Sequence, residues 1–220
     1  VNNITPTLFA RGNLPAPGFL TIGAANHLAY MLRQDQTGCS VVQLVAALAR
    51  EGTSSMARDL CLVAARYSPI RVLLVDVAAP GREQAEWFRD NLRQAVTRSL
   101  SLDGLPPDIL LHEVSAGALW VTELRLARGT GAADWILALS ALRAAFDLVV
   151  LDSPALATSY DAVMLAPHVD QNVLVVAAEA TRSAVARSLR DRIHDVGGSI
   201  CGTILNKRRF HIPRALHRFL

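Results

Sequence analysis

The sequence predicts a doubly wound α/β domain, with a mostly parallel sheet flanked by helices. Three observations carry that expectation. Short runs that are almost wholly apolar recur at residues 41–47, 72–75, 148–151, 173–177 and 200–205, with 118–124 as a weaker example. A run that does not alternate suits a strand buried on both faces, as in parallel sheets. Between the runs lie 54–66, 82–98, 132–145 and 181–196, each long enough for a helix that carries the chain back to begin a parallel neighbour. Finally, 220 residues with 51% apolar side chains suffice to bury one large core.

Taken in order, residues 1–20 hold three prolines and two glycines without sustained periodicity, which predicts a flexible N-terminal arm. Residues 21–220 then form a single domain that ends in a basic tail, 207–220, and a short helix is expected over 24–33. In the helix over 181–196, Ala184, Leu189 and Ile193 are expected on one face, with Arg182, Arg187, Arg190 and Arg192 toward water. In the tail, Pro213 stands at a helix start, and Leu216, Phe219 and Leu220 share a face. Two readings of the tail stay open: a helix meeting an anionic membrane surface or a partner, or one packed on its own domain.

Charge excludes one class of partner. The 22 Lys+Arg and 19 Asp+Glu leave +3, yet residues 207–220 hold five cations and no acid, so the body carries 17 − 19 = −2. A nucleic-acid protein would need a basic stripe on its folded surface, so none is expected as partner. Three cysteines, Cys39, Cys61 and Cys201, lie far apart without metal-binding spacing, which suits a reducing compartment. No basic segment followed by an apolar stretch opens the sequence, and no window reaches the ~18 apolar residues of a membrane span. A cytoplasmic location is therefore expected.

In doubly wound sheets, ligands sit beyond the carboxyl ends of the strands, where a loop enters a helix. The first strand end continues Leu48-Ala49-Arg50-Glu51-Gly52-Thr53-Ser54-Ser55. A phosphate-cradling loop needs a glycine for close backbone approach, a following helix, a hydroxyl for magnesium and a lysine for the β/γ-phosphates. Gly52 and Ser54 fit, whereas Thr53 stands at the lysine position. Two further strands end in an aspartate, Asp76 and Asp152. Each suits either a magnesium shell, with Ser54, or the cap of the next helix or turn.

These segments, in the order Glu51-Gly52-Thr53-Ser54, Arg71–Asp76, Phe146–Pro154, Asp161–Asp170 and Gly202–Lys207, resemble the cytoplasmic domain of bacterial tyrosine kinases, within the P-loop NTPase superfamily. The resemblance covers about residues 24–210. Such kinases accompany the chain-length-determinant co-polymerases of capsule and exopolysaccharide export. The family carries Gly-Glu-Gly-Lys-Ser/Thr in the first loop, where this chain has Arg50 and Thr53 at the first glycine and the lysine. Its second motif ends Asp-x-Asp-x-Arg, where Asp76 is followed by Ala78 and Pro80. The ring-closing Glu-x-x-Arg-x-x-Arg pattern is absent over 27–34, and the C-terminal tyrosine cluster is missing, the only tyrosines being Tyr30, Tyr67 and Tyr160.

A cationic clamp on a phosphoryl group in flight is worth about a thousandfold or more in rate, and a threonine hydroxyl supplies no such charge. The only lysine of the chain, Lys207, follows the last strand and so is not expected to replace it. The resemblance then implies a catalytically degenerate regulatory or scaffold subunit of exopolysaccharide export. Its vestigial nucleotide site would comprise Gly52, Thr53, Ser54, Ser55 and Asn206, the last either a base contact or a turn-former. Its partner would be an inner-membrane co-polymerase, with self-association and membrane contact through the tail also expected, at the cytoplasmic face of the inner membrane. No cofactor is expected. The alternative is an ATP-binding switch, weak ATPase or weak kinase that holds Mg-ATP or Mg-ADP through Gly52, Ser54, Asp76 and Asp152.

Other residues carry less. His112, His168 and His194 are scattered, and Ser153 lacks the Gly-x-Ser-x-Gly elbow of a hydrolase. Trp87, Trp120 and Trp135 lack the interleaved cations of a base-stacking platform and are expected to pack.

Overall fold

A computed structural model describes residues 38–77, 83–92, 99–100, 110–115, 117–124 and 132–208, together with Leu14 and Gly18. The expected helix over 24–33, Ala78 and Pro80, and the tail beyond Arg208 lie outside the described residues. The strands are β1 (Ser40–Ala46), β2 (Val72–Val77), β3 (Ser99–Leu100), β4 (Leu111–Ser115), β5 (Leu119–Leu124), β6 (Leu148–Asp152), β7 (Gln171–Ala177) and β8 (Ile200–Asn206). The helices are α1 (Thr53–Tyr67), α2 (Glu83–Leu92), α3 (Ala132–Ala145), α4 (Asp161–Leu165) and α5 (Ser183–Asp195). They build one eight-stranded sheet in the order β3-β4-β5-β2-β6-β1-β7-β8. All pairs from β5 to β8 in that order are parallel, and only β4 runs against its neighbours. The doubly wound α/β architecture expected from the apolar runs is the one observed.

The central strand explains why those runs do not alternate. On β1, Val42, Leu44 and Ala46 join a core with Met56, Leu60 and Ala64 of α1, while Val41 and Val45 enter cores on the opposite face. The second core joins Leu73, Val75, Val149 and Leu151 to Trp135, Leu139 and Leu142 of α3. Burial of about 1.5–3 kcal/mol per large side chain on both faces makes these layers the main source of stability. Trp120 packs edge-on to Phe146 with ring centroids 6.5 Å apart, a packing role as expected.

Three details differ from expectation. The sequence reading contained neither β3 nor β4, nor the short helix α4. Ala184 is exposed, and it is Val185, with Leu189 and Ile193, that packs beneath α5, because spacings of four keep those three on one face. Within the segment expected to be an arm, Leu14 is buried in the α1-side core and the Gly18 N–H donates to Asp59 Oδ1 at 2.9 Å. No helix among the described residues is long and apolar enough to cross a membrane.

Candidate functional site

Parallel winding brings the carboxyl ends of β1, β2, β6, β7 and β8 to one edge of the sheet. There the chain leaves β1 in a tight loop: Arg50 has φ of 65° and Gly52 of 100°, both left-handed, and α1 starts at Thr53. Gly52 is required twice over. It takes the left-handed conformation at little cost, and a Cβ at this position would lie 2.1 Å from Asn206 Nδ2. The first turn of α1 carries no acid, so its free N–H groups and dipole favour an anion. Thr53, Ser54 and Ser55 all lie in that turn and are half-buried.

The loop is pinned from behind by the neighbouring strand ends. Glu51 is buried, and its carboxylate accepts the N–H of Leu48 at 2.8 Å, the N–H of Ala177 at 3.0 Å and the hydroxyl of Thr181. Asn206 donates through Nδ2 to Glu51 O at 2.8 Å and accepts the Lys207 N–H at 2.8 Å. Both ends of that amide are thus committed to the loop and to its own turn. Lys207 comes to the loop as well, its Nζ donating to Arg50 O. Its place after the last strand misled the sequence reading, because β8 lies only two strands from β1 in the sheet. One of its three N–H donors is committed to a backbone carbonyl of the loop.

Asp76 and Asp152 are register partners on adjacent strands and both are buried. Between them and α1 lies a residue that the sequence reading did not single out. Gln84, at the start of α2, is fully buried. Its backbone N–H donates to Asp76 Oδ2 at 3.3 Å, and its Nε2 donates to Asp152 Oδ2 at 2.7 Å and to Ser54 O at 3.1 Å. Its Oε1 accepts Arg58 Nε at 3.0 Å, and the Arg58 guanidinium lies 4.0 Å over the Trp87 ring. Asp76 thus accepts the N–H of the second residue of α2, as a capping carboxylate does. The only sequence signal for Gln84 is its position at a helix start, eight residues beyond Asp76.

The amide orientation is over-determined. Arginine is donor-only, so Oε1 must face Arg58, and Nε2 then faces two acceptors. A divalent cation needs oxygen lone pairs at this point, not N–H groups. As folded, Asp152 and the Ser54 carbonyl accept from the Gln84 side-chain amide, and Asp76 accepts from the Gln84 backbone N–H. Among the described residues no group of three or more His, Cys, Asp or Glu is arranged to hold a metal ion.

No protein-family model matches the sequence, and no curated protein does so. Solved structures do. The VpsO kinase domain superposes with a TM-score of 0.62 at 22% identity, covering 86% of this chain and 94% of that one. The fold is that of the bacterial tyrosine-kinase domains. The kinase domain of Escherichia coli tyrosine kinase ETK matches at TM-score 0.59 and 17% identity, covering 87% of this chain and 78% of that one. The MinD cell division protein of Aquifex aeolicus follows at 0.58 and 14%, covering 82% and 72%. In this fold the loop after β1 leads into α1, and Gln84 stands between that helix and the strand-end aspartates.

Proposed function

We propose that this chain is a catalytically degenerate, tyrosine-kinase-like regulatory or scaffold subunit of exopolysaccharide synthesis and export. In this reading it works at the cytoplasmic face of the inner membrane, where it engages a chain-length-determinant co-polymerase. The observation that carries the loss of catalysis is the pairing of Thr53, at the position of the phosphate-gripping lysine, with an aspartate pair already bonded to Gln84. The pathway rests on the motif resemblance and on the likeness to kinase domains such as those of VpsO and BceF. The second reading, an ATP-binding switch, draws on the retained left-handed Gly52 and the acid-free first turn of α1.

Calorimetric titration with Mg-ATP and Mg-ADP separates the two. The scaffold reading expects no binding up to about millimolar nucleotide, and a Kd near micromolar would establish the switch. Thr53→Lys restores a charge at the loop and is expected to create nucleotide binding at least tenfold tighter than that of the parent chain. The partnership is tested by co-purification with the co-polymerase from membranes, with recovery unchanged in a chain carrying Thr53→Lys.

A further inference from the structure

The space between the strand-end aspartates and the first turn of α1 is filled from within. Four interactions converge on one buried side chain and its backbone: Asp152 Oδ2 at 2.7 Å, Ser54 O at 3.1 Å, Arg58 Nε at 3.0 Å and, through the backbone N–H, Asp76 Oδ2 at 3.3 Å. Satisfying a primary amide on both its oxygen and its nitrogen side within the interior, with none of it exposed, makes it a fixed part of the fold. Arg58, stacked on Trp87, prevents the amide from turning its oxygen toward the aspartates.

We propose that Gln84 is a built-in substitute for the divalent cation, an amide plug that joins α1, α2, β2 and β6 as the metal of an active phosphate site would, and that closes this site to Mg2+. The plug supplies side-chain N–H donors to Asp152 and to Ser54 O, and its backbone N–H to Asp76, where a cation would supply charge, so the aspartates remain organised without any ligand. The consequence concerns cation binding in the apo chain, without nucleotide. It therefore stands or falls separately from the exopolysaccharide role, which a working plug does not prove and an absent plug does not remove.

Mn2+, which replaces Mg2+ at oxygen sites and is visible by electron paramagnetic resonance, is the probe. The full chain is expected to take up no stoichiometric Mn2+ at about 1 mM free ion. Gln84→Ala removes the plug, and Gln84→Glu keeps its volume while replacing the donor by a third carboxylate. Both are expected to bind one Mn2+ at least tenfold more tightly than the parent, with the gain abolished by adding Asp152→Asn. Gln84→Glu should also melt lower than the parent in chelator and recover when Mn2+ is added, a metal-dependent shift that a mere packing defect does not give. Stoichiometric Mn2+ binding by the parent that is lost in Asp152→Asn overturns the proposal. So does a folded Gln84→Glu chain, verified by circular dichroism, that gains no Mn2+ site.

Discussion

At the amino ends of the strands Asp147 and Asp170 each receive an arginine fork, whereas at the carboxyl ends Asp152 accepts the side-chain amide of Gln84 and Asp76 its backbone N–H. Arg71 grips Asp147 through Nη2 at 2.8 Å and Nε at 3.1 Å, and the same carboxylate accepts the Arg71 N–H at 2.7 Å, tying β2 to β6. Arg143 of α3 grips Asp170 at 2.8 and 2.9 Å, and Asp170 also accepts the Val41 N–H at 2.7 Å. The amino-end carboxylates are spent as bidentate staples that hold strand starts in register. Asp147 belongs to the same apolar-run motif as Asp152, so strand polarity decides which aspartate of the motif is structural and which lies at the site.

This difference has a direct consequence for asparagine replacements. An asparagine offers a single carbonyl oxygen and no charge, so at position 147 it cannot match a guanidinium fork. Asp147→Asn is expected to cost about 2 kcal/mol, between the values for exposed and buried pairs because both side chains are about one-third exposed. At position 152 an asparagine Oδ1 still accepts the Gln84 Nε2–H, so this bond survives and Asp152→Asn is expected to cost less than Asp147→Asn. Urea unfolding of the two variants measures the contrast. Equal losses would mean that the two sheet ends use their acids alike.

A second test of the amino end uses pH. Burial is the main force that pushes the Cys39 thiol from 9.0 up to about 11. Arg143 opposes the rise, and Asp170 and Asp147 add to it. The folded chain therefore holds this proton where the unfolded chain has released it. Stability from Cys39 is fully present below pH 9 and declines as pH rises from 9 to 11. Thermal melts across that window should show a fall that Cys39→Ala reduces. The carboxyl end has no counterpart on the surface, since Cys61, whose thiol is raised by burial and next by Asp152, is completely enclosed and should react with thiol reagents only on unfolding.

Most of the parallel strands were legible because burial on both faces writes a nearly continuous apolar run, whereas β8, none of whose residues is buried, was legible by composition alone. β4 was not, since Leu-His-Glu-Val-Ser lies near the sheet edge, antiparallel and half-buried, and so lacks that run. At the site, the aspartates were legible as the polar ends of apolar strands, and Gly52 as the glycine before a helix. Gln84 was not, because a glutamine at a helix start has no spacing signature, and its role arises only when β2, β6 and α1 meet. Lys207 illustrates the opposite error, in which distance along the chain stood in for distance in space, although parallel winding collects every strand end at one edge.

The smallest expected effect sharpens the picture of the carboxyl end. Arg50 is held left-handed at φ 65°, a conformation that costs a non-glycine residue about 1–2 kcal/mol. The loop keeps that shape because Lys207 grips Arg50 O and Asn206 grips Glu51 O, so the strain is sustained by backbone contacts independent of the arginine side chain. Arg50→Gly should remove the strain and keep both carbonyl contacts. The unfolded state of the variant gains freedom, which offsets part of the benefit and leaves a net stabilisation of about 0.5–1 kcal/mol. A loss of stability in Arg50→Gly would instead show that the arginine side chain holds the loop, and the carboxyl end would then rely on a guanidinium as the amino end does.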